Sequence, residues 1–144
     1  MSQTQTKQLE NQEAAHLAGT RLVILMYDGA IGALNKALAA FEAGDLQTRC
    51  DAINMTMDII VQLHEALDLE QGGHVAANLD NLYRFMITRL ARANLSNDPQ
   101  PVRDVLYLLE PLYDAWRRLD EQVTAQDIIR RAGATAPVEM RAVG

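Results

Sequence analysis

The sequence has little of what nucleic-acid binding, disulfide formation or secretion requires. Lysine and arginine number 13 against 19 aspartates and glutamates, so the formal net charge is −6. The chain therefore lacks the basic field that supplies most affinity for DNA or RNA. Its single cysteine, Cys50, cannot form a disulfide within the chain, and the polar start Met-Ser-Gln-Thr-Gln-Thr is unlike a signal segment. These absences predict a cytoplasmic protein that binds no nucleic acid.

Long apolar runs, aromatic residues and strand patterns are also scarce. No uninterrupted apolar run reaches the ~20 residues of a membrane-spanning helix, so we expect no membrane insertion. Aromatic residues make up 5% of the chain, and no Val/Ile/Thr-rich alternation competes with its Leu, Ala, Gln, Glu and Arg. A length of 144 residues fits one domain over residues 1–144. The predicted fold class is all-α.

Caps and glycines divide the chain into four helices. Gly44 ends the first helix, which begins at Arg21, and Asp45 opens the second. The pair Gly72-Gly73 reverses the chain before a third helix over about 75–95, and Asp98-Pro99 starts a fourth. These helices most simply form an antiparallel up-down four-helix bundle over about 20–123. Residues 1–18 are expected to be flexible or a frayed helix, and 124–144 a mobile tail.

Pro111 lies in the middle of the fourth helix. A proline there removes the backbone hydrogen bond to the carbonyl of Tyr107. We expect the helix axis to bend at this point.

The sequence contains no complete catalytic or metal-binding motif. Glu13-Ala-Ala-His16 has the spacing of a bundle metal site, but it lacks the second copy that such a site needs. Gly-rich phosphate loops and Gly-x-Ser-x-Gly turns are absent. Cys50 and His64 fall on a packing stripe of the second helix. Arg84, Arg89 and Arg92 could together bind an anionic substrate, but their spacing favours three solvent-exposed charges instead. We expect no enzyme activity, metal or cofactor.

The first helix carries more apolar residues than one packing face needs. On a helical wheel the core stripe consists of Val23, Met26, Tyr27, Ala30, Leu34, Ala37, Leu38 and Phe41. Left over are Leu22, Leu25, Gly29 and Gly32 on one flank and Ile24 and Ile31 on the other. Either the helix is buried on most of its sides, or a binding partner covers the additional apolar residues. The solvent side that a four-helix bundle leaves on each helix favours a partner-binding groove.

Four blocks in order give the sequence a family resemblance. They are Leu22-Val-Ile-Leu-Met-Tyr-Asp-Gly-Ala-Ile31, Leu67-Asp-x-Glu-x-Gly-Gly73, Asn78-Leu-x-x-Leu-Tyr-x-x-Met-x-x-Arg-Leu-x-x-Ala-Asn94 and Ala115-Trp116. Over about 22–119 the chain resembles the flagellin export chaperones, the FliS-type proteins of the bacterial flagellar secretion system. The resemblance implies a four-helix bundle that holds the C-terminal segment of flagellin, stops it polymerising and presents it to the export gate. It also implies that an N-terminal segment covers part of the empty site.

Two positions depart from the family pattern. The family commonly has Ser-Pro where this chain has Ala18-Gly19, and an acidic residue where it has His74. These departures concern the N-terminal segment and the turn before the third helix.

The surplus flank and the blocks together predict the partner-contacting residues. They are Leu22, Ile24, Leu25, Tyr27, Asp28, Gly29, Ile31, Gly32, Asn78, Leu82, Tyr83, Met86, Arg89, Leu90 and Asn94. Core packing is the alternative for Tyr83, Met86 and Leu90, and inter-helix hydrogen bonding for the polar residues.

A different class of protein also fits the residues. A helical adaptor or self-associating bundle without a flagellin client would expose the same surplus, and it would form a homodimer when empty.

Overall fold

A computed structural model describes residues 3–135, except for the side chains of 9–18 and 134–135. Its four helices are α1 (Gln3–Ala43), α2 (Leu46–Glu65), α3 (Leu69–Ser96) and α4 (Gln100–Thr135). No strand occurs within this described range. The predicted all-α fold class is confirmed.

The predicted breaks between α1 and α2 and before α4 are confirmed by their caps. Gly44 takes a positive φ of 68° after α1, and the Asp45 carboxylate accepts from the Thr48 backbone N–H at 3.1 Å to cap α2. At the start of α4, Asp98 Oδ1 accepts from the Gln100 backbone N–H at 2.9 Å. Each cap satisfies an N–H that the helix itself leaves without a partner.

The helices pack in a closed cycle around one core. Helix α1 packs on α2 and α4, and α3 packs on the same two helices. The fully buried larger side chains come from all four helices: Tyr27, Leu34, Ile53, Thr56, Ile60, Tyr83, Met86, Leu90, Val102, Val105 and Leu109. Burial of these side chains supplies the main favourable term in folding.

Three helices are longer than the sequence pattern predicts. Helix α3 begins at Leu69 and only kinks at Gly73, so the chain reversal expected at Gly72-Gly73 is wrong. Helix α1 includes residues 3–20, and α4 runs through Pro111 without a break to Thr135.

Residues 124–135, expected to belong to a mobile tail, form the end of α4, and residues 136–144 lie outside the described residues. The spacing of apolar residues predicts only the part of a helix that has an apolar face. Residues with high helix propensity, such as Gln, Glu, Ala and Arg, extend a helix beyond that part. The bend expected at Pro111 stays a prediction.

The segment Gly19–Ala43 of α1 is long and apolar enough to cross a membrane, by length and composition alone. One such helix is weak evidence for a membrane span, and it does not contradict the expectation of no membrane insertion. A core helix passes the same test. Tyr27, Ala30, Leu34 and Ala37 are fully buried here, so this segment supplies one wall of the core.

Candidate partner-binding surface

One flank of α1 is exposed and apolar, as the wheel predicts. The Leu22 side chain is 59% exposed and that of Leu25 is 66% exposed. Farther along this flank, a Cβ atom on Gly32 would have no atom within 4 Å. Large apolar side chains beside an open glycine allow another chain to approach the backbone closely.

Helix α2 lies alongside this flank. A Cβ atom on Gly29 would lie 3.6 Å from Cδ1 of Ile59. Met55 precedes Ile59 by one helical turn, so it shares that side of α2, and it is 55% exposed. We call this group the α1–α2 apolar surface: Leu22, Leu25, Gly29, Gly32, Met55 and Ile59.

The other side of α1 belongs to the core. The predicted stripe is confirmed, since half its members are fully buried and Val23, Met26, Leu38 and Phe41 pack partly buried against them. Ile24 is half-buried. Ile31, also predicted to contact a partner, is half-buried and packs partly against the core cluster.

Four other predicted contact residues are buried, which corrects their assignment. Tyr27, Met86 and Leu90 have no exposed surface and Tyr83 has almost none, so in this structure none of them presents a side chain to a partner. The Tyr27 and Tyr83 hydroxyls lie 2.5 Å apart and join α1 to α3. Burial raises the pKa of both phenols, against the opposing effect of hydrogen bonds from Tyr83 and Trp116 on Tyr27.

Three polar residues of the predicted site join helices to each other. Arg89 on α3 forms an ion pair with Asp104 on α4, and this hydrogen bond holds the pKa of Asp104 below its ordinary value. Asn94 Nδ2 donates to Asn54 Oδ1 on α2 at 3.0 Å.

Asp28 on α1 is exposed and accepts a long hydrogen bond of 3.5 Å from the Tyr113 hydroxyl on α4. The alternative of inter-helix bonding is thus confirmed for Arg89 and Asn94, and Asp28 ties α1 to a neighbour.

The predicted residues therefore do not form one continuous patch. Those on α1 border α2 and α4, whereas Asn78, which is exposed, and Leu82, which packs partly against the core, lie on α3. Helices α1 and α3 both pack on α2 and α4 and meet through buried side chains. A partner touching both sets has to pass around the molecule.

Sequence reasoning missed much of the exposed apolar surface. Beyond Met55 it includes Leu46, Val75, Phe85, Leu95, Tyr107, Ile128 and Ile129. Most of these residues lie outside the apolar stripes that pack in the core. A helical wheel of each helix, like the one for α1, identifies them.

No metal site can be built from the described residues, in which no group of three or more His, Cys, Asp or Glu side chains converges. The side chains of Glu13 and His16 lie outside the described residues.

Comparisons with known proteins agree with the sequence blocks. A family model described as "Flagellar protein FliS" matches residues 1–123. A flagellar secretion chaperone FliS of Salmonella typhimurium is 37% identical over 108 residues, which are 74% of this chain and 80% of the relative. One from Vibrio cholerae is 34% identical over 69% of this chain and 73% of its own length. A flagellar secretion chaperone FliSB of Pseudomonas aeruginosa is 40% identical over 67% of this chain and 76% of its own length.

Proposed function

Because the chain belongs to the FliS family of flagellar proteins, we propose that it is a flagellar secretion chaperone whose client is flagellin. The family match covers residues 1–123, and the relatives carry this chaperone name. The structural observation that carries the proposal is the α1–α2 apolar surface, whose leucines are more than half exposed on a helix whose other side is built into the core. The FliS family is a family of chaperones and not of enzymes.

The proposed ligand is the C-terminal segment of flagellin. A segment that stays disordered until it assembles needs apolar cover, and the chaperone supplies it without any chemical step. The exposed apolar side chains on α1, α2 and α3 favour a client that wraps around the bundle. We also infer that the helices run up and down in antiparallel order, because consecutive helices are joined by short connections and pack on each other.

Wrapping reconciles a large contact area with reversible binding. A client burying a total of roughly 2,000 Å² would gain an apolar term of tens of kcal/mol by area. Ordering a flexible chain and losing its free motion offset most of this gain. The expected complex is tight in the cytoplasm and still releases its client at the export gate.

The test is titration of a C-terminal flagellin peptide into the wild type and into Leu25→Asp. We expect near-stoichiometric binding at tens of micromolar by the wild type and at least tenfold weaker binding by Leu25→Asp. Because Leu25 is 66% exposed, its replacement should leave the melting temperature nearly unchanged. Absence of any heat of binding with the wild type would overturn the proposal.

Two variants control for charge and for core damage. Ile129→Asp adds the same charge at an exposed isoleucine on α4, beyond the residues that match the family, and should keep client affinity within about twofold. Ile31→Asp should instead unfold the protein at lower temperature, since Ile31 packs on the core. Equal loss of binding in Leu25→Asp and Ile129→Asp would mean that repulsion, not the apolar surface, governs the result.

A further inference from the structure

Arg49 on α2 is a buried cation with unusually few partners. The side chain is 7% exposed, and its Nη1 donates to Asn97 Oδ1 at the end of α3. Its Nε is buried without a hydrogen-bond acceptor among the described side chains. No described carboxylate forms an ion pair with it, although arginine offers five donors.

The surroundings offset only part of the cost of burying this charge. The guanidinium carbon lies 4.7 Å from the centre of the Phe41 ring, and such a cation–π contact recovers a fraction of the lost hydration. Buried charges in proteins are as a rule paired and fully hydrogen-bonded. An arginine held in place with donors to spare is suited to receiving an anion from outside.

A cavity lies directly beside Arg49. It has a volume of about 450 Å³ and is lined by Ala40, Phe41, Gly44, Asp45, Leu46, Arg49 and Asn97. These residues come from the end of α1, the start of α2 and the end of α3. The site is thus at one end of the helices and does not include the α1–α2 apolar surface.

The lining favours a singly charged group attached to an apolar one. Asp45 is committed to capping α2, accepting from the Thr48 hydroxyl at 2.6 Å and from the Thr48 N–H, and these bonds lower its pKa. Its negative charge stays in the lining and disfavours a doubly charged phosphate. Phe41 and the 60% exposed Leu46 provide apolar walls for the rest of a ligand.

We propose that this cavity binds a peptide carboxylate, from a chain terminus or an acidic side chain, with Arg49 and Asn97 as the polar contacts and Leu46 and Phe41 around the neighbouring apolar group. Arginine matches a carboxylate with two parallel N–H donors. The proposal goes beyond the client-binding function, because it does not depend on which protein supplies the carboxylate.

The test uses N-acetyl-L-leucine as the probe, followed by NMR. The Arg49 Nε–Hε signal and the backbone N–H signals of Leu46 and Asn97 should shift saturably with a Kd that is roughly millimolar, as expected for so small a ligand. N-acetyl-L-leucinamide keeps the apolar group without the charge and should shift none of them. Inorganic phosphate should bind at least fivefold more weakly than the carboxylate.

Variants at the rim and centre of the cavity separate recognition from structure. Leu46→Glu places a competing carboxylate at an exposed rim position, and we expect at least fivefold weaker binding of the probe. Leu46→Gln removes the same apolar contact without adding a charge, so it should weaken binding by clearly less than Leu46→Glu does. Arg49→Gln should abolish the Leu46 and Asn97 shifts. If Arg49→Gln does not fold, the Leu46 pair decides alone.

Three results would overturn the proposal. Equal shifts with N-acetyl-L-leucinamide would mean an apolar cavity without charge recognition. Phosphate binding as strong as that of the probe would mean an adventitious ion only. Unchanged spectra at tens of millimolar probe would mean that Asn97 and Phe41 satisfy Arg49 and that its role is to join α2 to α3.

Discussion

At the scale of single residues, the paired hydroxyls of Tyr27 and Tyr83 connect α1 to α3 through the core. Both side chains are almost completely buried and lie close enough for one hydroxyl to donate to the other. A buried hydroxyl that loses its partner costs more than the bond contributes when formed. The two tyrosines should therefore act as one unit.

We predict that Tyr83→Phe lowers the free energy of unfolding by about 1–2 kcal/mol, because it leaves the Tyr27 hydroxyl with poorer hydrogen bonding. The double variant Tyr27→Phe, Tyr83→Phe should lose less than the sum of the two single variants. Urea unfolding of all four proteins measures this coupling. Tyr107→Phe is the control, since Tyr107 is 80% exposed, and additive losses would contradict the prediction.

Residue patterns predicted burial on α1 and left it as an alternative on α3. The wheel separated Leu22 and Leu25 from Tyr27 because one helix turn fixes which residues share a face. For Tyr83, Met86 and Leu90 the family blocks predicted partner contact. Yet these residues lie three or four apart on the face that packs in the core. A motif identifies positions that matter and leaves open whether they serve the fold or a partner.

At the scale of secondary-structure elements, caps were predictable and helix lengths were not. Gly44, Asp45 and Asp98 mark boundaries through local hydrogen bonds and backbone angles, so nearby sequence specifies them. The continuation of α4 to Thr135 has no apolar stripe to reveal it. The glycine pair lies between these cases, because the predicted reversal is a kink at Gly73 inside α3.

We predict that Gly73→Ala lowers the free energy of unfolding by roughly 1–3 kcal/mol. Gly73 has φ 56° and ψ −134°, a conformation that a Cβ atom strains. Urea or thermal unfolding measures the effect. Gly32→Ala is the matched control in a regular, open part of α1, and it should gain about 0.5–1 kcal/mol from its higher helix propensity. Equal stability of both variants would show that the kink relaxes without cost.

At the scale of the whole molecule, exposed apolar area and net charge act in opposite directions on contact between two copies. Leu22, Leu25 and Met55 leave the α1–α2 apolar surface uncovered, while the net charge of −6 opposes contact between two copies. The sequence alone could predict the additional apolar residues on α1 and the net charge. It could not show that the surplus on α1 and the exposed residues of α3 lie on separate sides, because this depends on how the helices pack.

We predict weak self-association of the empty protein through the α1–α2 apolar surface, because a second copy is the available apolar cover when no client is present. Light scattering should show the 16.0 kDa chain at low concentration and a growing dimer fraction at hundreds of micromolar, more so in high salt, which screens the repulsion. Stoichiometric flagellin peptide should convert the dimer into a one-to-one complex, and Leu25→Asp should remain monomeric without peptide. A dimer that persists in Leu25→Asp and in the presence of peptide would place the self-contact elsewhere and favour an adaptor that pairs with itself.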